Sequence, residues 1–200
     1  MKVRRALSTD LRAIVDVHVK AFPGFFLTLM GKSFLKELYS GFLREDEGFL
    51  LVADDGAGEI LGFAAGTKNP EFFFQVLRKK RAIFFILAAA PAIIRNPIPI
   101  FKKLWGALFY KGDNPTSIGA AALLSSIGVD PNYSGRSIGG SLLMETEHLV
   151  RGSGCQYIYL TTDANSNEAV VGFYKKNGYE IESSFLQSKG REMLRFIKKL

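Results

Sequence analysis

Apolar residues recur in two rhythms along the chain. Leu11, Ile14, Val15 and Phe22, with His18 among them, share one face at helical spacing. Ser8 or Thr9 precedes them as an N-cap, Asp10 lies in the first turn, and Pro23 and Gly24 break the run. Phe34, Leu35, Leu38, Tyr39 and Phe42 repeat the pattern and predict a second helix over about residues 29–42. Short strands are predicted at residues 2–7, 48–53 and 59–67, the last two joined by the turn sequence Asp54-Asp55-Gly56-Ala57-Gly58. Further on, residues 121–129 form an apolar run that reads as a buried strand ended by Asp130 and Pro131. An amphipathic helix follows over about 138–151, then a strand at 156–161 and a helix at 167–177 with Gly178 at its C′ position. Strands at 179–185 and 191–197 end the pattern. The alternation predicts one α/β domain with no internal repeat.

The stretch from 71 to 111 differs in composition. Arg78, Lys79, Lys80, Arg81, Arg95, Lys102, Lys103 and Lys111 are opposed by Glu71 alone, so this stretch carries a net charge equal to the +7 of the whole chain. Within it residues 82–94 are apolar and uncharged. A helix of that length reaches only about 20 Å, short of the roughly 30 Å hydrocarbon core. Pro91, Pro97 and Pro99 predict a division into two or three short helices. Basic flanks beside an apolar face fit a peripheral membrane contact; a lid over a substrate site or a homodimer contact would bury the same face. The interleaved aliphatic runs do not fit nucleic-acid binding.

The length of 200 residues suits a single sizeable core, and an apolar content of 48% is ordinary for a globular protein. Cys155 stands alone, which excludes an internal disulfide and a cysteine zinc site and suits a reducing, cytoplasmic setting. MKVRRALSTD lacks the apolar segment of a signal peptide.

Candidate chemistry centres on SSIGVDPNYSGRSIGGSLL, residues 125–143. A small-residue loop between a strand and a helix N-terminus converges backbone N–H groups on an anion, with the helix dipole favouring negative charge. The loop lacks the Lys-Ser/Thr of an NTPase phosphate loop, and Gly135, Gly139 and Gly140 lack the dinucleotide spacing. It resembles motif A of the GCN5-related N-acetyltransferases (GNAT): Val-x-Pro, two residues, Gln/Arg-Gly-x-Gly-x-Gly/Ala, then Leu-Leu. Val129, Pro131, Gly135, Gly139, Leu142 and Leu143 match, while Ser134 and Ser137 replace Gln/Arg and the central Gly. Residues 167–180, NEAVVGFYKKNGYE, resemble the family's motif B through Asn167, Tyr174, Gly178 and Tyr179.

The resemblance covers all but about residues 71–115, which it treats as a helical insertion between the third and fourth strands of a single domain over 1–200. It implies a GNAT fold: a central, mixed, mostly antiparallel twisted sheet of six or seven strands flanked by helices and splayed between the fourth and fifth strands. It implies acetyl transfer from acetyl-CoA to a primary amine of a small molecule, such as an amino sugar, by direct attack in a ternary complex and without a metal. A catalytically silent acyl-CoA-binding or membrane-associated sensor domain is the alternative reading. Backbone groups of Ser126, Ile127 and Val129 are expected to meet the pantetheine arm. Those of Ser134, Gly135, Arg136, Ser137, Ile138, Gly139 and Gly140 are expected to hold the pyrophosphate. Asn167 is expected to bond the pantetheine or cap its helix, and Tyr174 to protonate the departing thiolate or pack in the core. A tyrosine near its reference pKa of about 10 is protonated at neutral pH. No general base is readable: Asp163 reads as a turn or cap residue, His18 as a core histidine, and deprotonation through water needs neither.

Overall fold

Seven strands form one sheet in the order β1-β2-β3-β4-β5-β7-β6. They are β1 (Lys2–Arg5), β2 (Gly48–Asp54), β3 (Ile60–Thr67), β4 (Ala121–Val129), β5 (Tyr157–Asp163), β6 (Glu180–Gln187) and β7 (Arg191–Lys199). Among the described residues the helices are α1 (Leu11–Ala21), α2 (Phe26–Leu29), α3 (Lys32–Arg44), α4 (Pro70–Arg95), α5 (Ile138–Gly152) and α6 (Glu168–Lys176). The computed structural model describes residues 1–95, 121–187 and 190–200. Neighbouring strands are antiparallel except β4 and β5, which run parallel. The mixed, mostly antiparallel sheet flanked by helices is the predicted fold.

Both faces of the sheet are covered, so every residue of β3 is buried. On one face Leu50, Val52, Phe63 and Ala65 meet Ile14, Val15, Leu35 and Phe42 of α1 and α3. On the other Leu51, Ala64, Ala122, Leu124 and Phe196 meet Leu142, Leu143 and Tyr174 of α5 and α6. Gly62 lets α5 lie close to the sheet: a Cβ there would come within 3.1 Å of Leu142 and 2.9 Å of the Gly128 carbonyl oxygen.

Two expectations are corrected. The second predicted helix, α3, starts at Lys32 rather than near Leu29, because Gly31 has φ +90°, a conformation outside any helix, and the short α2 ahead of it is not among the predicted elements. The insertion is not divided at Pro91: α4 runs unbroken from Pro70 to Arg95. An internal proline removes one hydrogen bond and costs about 3 kcal/mol. Here Pro91 faces outward while Phe85, Ala89 and Ala92 are buried, and that packing offsets the cost. Pro97 and Pro99, with the rest of the insertion, lie outside the described residues.

α4 packs along α3. Phe73 stacks on Phe42 at 4.8 Å, Phe85 meets Phe34 at 5.2 Å, and Leu77 lies over Gly41. Arg81 pairs with Glu37 at 2.5 Å and Lys80 with Glu45 at 2.9 Å, so two of the cations expected to meet anionic headgroups have partners on α3 and just beyond it. Among the described residues no helix is long and apolar enough to cross a membrane.

Candidate active site

β4 and β5 share only three rungs, Ala121–Tyr157, Ala122–Ile158 and Leu123–Tyr159. Beyond Leu123 the strands part, and residues 124–129 keep β3 as a partner on one edge. A bulge marks the parting. Ala65 pairs with Ser126 but Gly66 with Leu124, so Ser125 is an extra residue on β4. The close approach requires glycine opposite, since a Cβ on Gly66 would collide with the Leu123 carbonyl oxygen and the Phe49 ring. Ser126, Ile127 and Val129, the residues expected to face the cofactor, lie on this released segment. Ile127 and Val129 pack toward the α5 side.

The loop after β4 is braced from three sides. Lys20 of α1 donates to the Asp130 carboxylate at 2.7 Å, and this bond holds the carboxyl below its usual pKa range. Asp130 also accepts from the Asn132 N–H. The Tyr133 hydroxyl donates to Glu59 at 2.9 Å, and the Arg136 guanidinium lies 5.2 Å from the Tyr133 ring centroid. Ser134 donates to the Pro131 carbonyl.

Two residues shape this loop. Gly135 has φ +78° and Ser137 has φ +59°, and α5 begins directly after Ser137. Ser137 makes no side-chain capping bond. The first backbone bond into the helix is Ser141 N–H to the Ser137 carbonyl, so the N–H groups of Ile138, Gly139 and Gly140 have no partner in the preceding turn. A Cβ at Gly135 or Gly140 would meet nothing within 4 Å, whereas one at Gly139 would touch the Phe173 ring of α6 at 3.5 Å. Free N–H donors, a helix N-terminus and open space suit a pyrophosphate.

α6 supplies the other expected residues. Asn167 occupies its N-cap position but makes no capping bond. Its amide nitrogen donates instead to Thr162 Oγ1 at 2.8 Å and the Asp163 carbonyl at 2.9 Å, tying the helix start to the end of β5. Tyr174 is 6% exposed, with Phe173, Tyr179 and Phe196 around its ring. Burial raises its pKa above the ordinary value, so the hydroxyl is protonated at neutral pH.

The opposite wall contains contacts that sequence reading missed. Phe22 lies against Gly128 of β4, where a Cβ would come 3.0 Å from its ring, and Phe25 packs on Phe22 at 5.6 Å. The Arg191 guanidinium lies 5.6 Å from the Phe25 ring centroid and makes a two-pronged ion pair with Asp163 at 2.5 and 2.6 Å. A continuous run of contacts thus joins Gly128 of β4 to Asp163 of β5 through Phe22, Phe25 and Arg191, with Asp163 engaged as an ion-pair partner. His18 is a core residue, as read: it is 2% exposed, its Nδ1 lies 2.6 Å from the Tyr39 hydroxyl, and burial pushes its pKa down to about 4.

The acetyltransferase (GNAT) family model matches residues 104–179. No curated protein matches the chain. Among solved structures, a ribosomal-protein-alanine N-acetyltransferase from Brucella melitensis is 19% identical with a TM-score of 0.64, covering 100% of both chains. Ard1 from Thermoplasma volcanium is 14% identical at 0.63, covering 100% of this chain and 97% of its own. The PaiA N-acetyltransferase from Thermoplasma acidophilum, solved in complex with coenzyme A, is 16% identical at 0.59, covering 100% and 98%. At these identities the structures establish the shared fold, and the family model covers both motifs read from the sequence. Residues 104–179, which hold both motifs, match the acetyltransferase (GNAT) family, and the chain as a whole shares the fold of these acetyltransferase structures.

Proposed function

We propose that the chain, as one domain over 1–200 with its insertion at about 71–115, transfers an acetyl group from acetyl-CoA to a primary amine of a small molecule by direct attack. The observation that carries this reading is the parting of β4 from β5 after the Leu123–Tyr159 rung, with the free N–H groups of residues 138–140 at the head of α5 beside it. The bound cofactor supplies the acyl thioester that the amine attacks. Backbone groups from Ser134 to Gly140 hold the pyrophosphate. The open edge of Ser126, Ile127 and Val129 takes the pantetheine, with Asn167 on its other side. Tyr174 holds a proton at its hydroxyl and gives it to the departing sulfur. The attacking amine must be neutral, and it loses its proton to water.

The run of contacts from Phe22 through Phe25 and Arg191 to Asp163 supports a small acceptor. Phe25 and Arg191 join the α1–α2 connection to β7, so an extended chain lying across the opening would have to displace them. Two of the similar structures carry names of ribosomal-protein-alanine N-acetyltransferases, which makes peptides the informative control. Acetyl-CoA-dependent thiol release should be seen with members of a small-amine panel and should be slower with short peptides bearing free N-termini. A peptide preferred over every small amine would overturn the acceptor class.

A further inference from the structure

A chain of polar side chains crosses the apolar core between α1 and the parted strand. His18 sits among the rings of Phe22, Phe63 and Tyr39, and its Nε2 has no hydrogen-bond partner. Its Nδ1 meets the Tyr39 hydroxyl at 2.6 Å. Tyr39 is fully buried, and Ser126 stands beside its hydroxyl on the strand face that Gly128 turns to Phe22 and Phe63. Placing a hydroxyl and an imidazole in an apolar core is costly unless they are bonded, and apolar side chains would pack there without that cost. The chain has one end near solvent, at half-buried Ser126. That residue directly follows the bulge and lies where β4 has lost β5. A strand held along one edge is free to twist about that edge, and a side-chain tether on its core-facing side removes that freedom.

We propose that Tyr39, braced by His18, is a positioning residue for the cofactor: through Ser126 it fixes the released segment of β4 in the alignment that receives the pantetheine arm. The inference rests on the acetyl-CoA reading above. His18 stays neutral at physiological pH, so it ends the chain as a hydrogen-bond partner and takes no proton from the reaction.

The test is calorimetric titration with coenzyme A of the parent, Tyr39→Phe, Ser126→Ala and the double variant, each checked for an intact thermal transition. Each single variant should weaken binding about three- to tenfold, the size of one hydrogen bond. The double variant should bind no more weakly than the weaker single, because both changes cut the same tether. In protein labelled with ¹⁵N-histidine, the His18 ring signals should shift on adding coenzyme A and stop shifting in Ser126→Ala, with exposed His148 as the internal reference. A purely packing role for Tyr39 would move neither the signals nor the coupling. Should Tyr39→Phe fail to fold, Ser126→Ala carries the test alone, since it alters no fully buried side chain. Parental affinity in folded variants, or losses that add, overturns the inference. A parent that binds no coenzyme A overturns the acetyl-CoA reading, and this inference with it.

Discussion

Leu123 faces Tyr159 across the last rung that β4 shares with β5, and from there β4 runs on with one edge open. Two residues later Ser125 stands out as the bulged residue, and at the end of the strand Asp130, tethered to Lys20, directs the chain into the loop that precedes α5. One parting of two strands therefore places an open backbone edge and a set of free N–H groups side by side.

If the N–H groups at the head of α5 hold the pyrophosphate, bulk and negative charge there should abolish binding. Gly140 faces open space, so Gly140→Glu should fold normally yet lose coenzyme A binding by at least a hundredfold in calorimetry. Gly135→Glu should do the same with an added loss of stability, because φ +78° disfavours any side chain. Gly140→Glu binding as tightly as the parent would remove the loop from the site.

Ser137 holds φ +59°, where the family's motif writes glycine. A left-handed serine costs roughly 1–2 kcal/mol, partly offset by the larger entropy glycine loses on folding. Ser137→Gly should stabilise the protein by up to about 1 kcal/mol and raise Tm by a few degrees in a thermal melt. A lower Tm would show that the Ser137 side chain contributes more than its backbone strain costs.

Tyr174→Phe keeps the buried ring and removes only the hydroxyl group. It should lower kcat by roughly ten- to a thousandfold and leave the KM for acetyl-CoA nearly unchanged. An unchanged kcat, with chemistry shown to be rate-limiting, would leave Tyr174 as a core aromatic.

Burial lowers the His18 pKa from 6.5 to about 4. Between these values the unfolded chain binds more protons than the folded one, so stability falls as pH falls. The contribution is fully present above about pH 6.5, shrinks by about 2 kcal/mol between pH 7 and pH 5, and is lost by about pH 4. Urea unfolding should show this loss in the parent and a flatter profile in His18→Gln. Identical profiles would mean that other groups set the acid sensitivity.

What could be read from sequence was what local pattern encodes. The apolar run 121–129 with its Asp130-Pro131 stop, the small residues after it, and Asn167 seven positions before Tyr174 each lie within one turn, strand or helix. Contacts between distant segments were not legible. Tyr39 reads as an inward aromatic on a helix face, and nothing local says that its hydroxyl meets His18 and Ser126. Arg191 reads as the start of a strand, and its bonds to Asp163 and Phe25 depend on how the ends of β5 and α1 come together. The bulge at Ser125 is set by pairing with β3, where Gly66 makes room for it. A proline reads locally as a helix stop, yet the buried Ala89 and Ala92 on either side of Pro91 carry the helix through it.

The most direct test of the account follows the acetyl group itself. The protein is incubated with acetyl-CoA isotopically labelled in the acetyl group and with the small-amine panel, and products are read by mass spectrometry against free thiol. Label should appear as an amide on an acceptor amine in step with thiol release, and Tyr174→Phe should slow both equally. Thiol release with all the label recovered as free acetate, or no release with any amine while coenzyme A still binds, would contradict it and leave the fold as a silent acyl-CoA-binding domain.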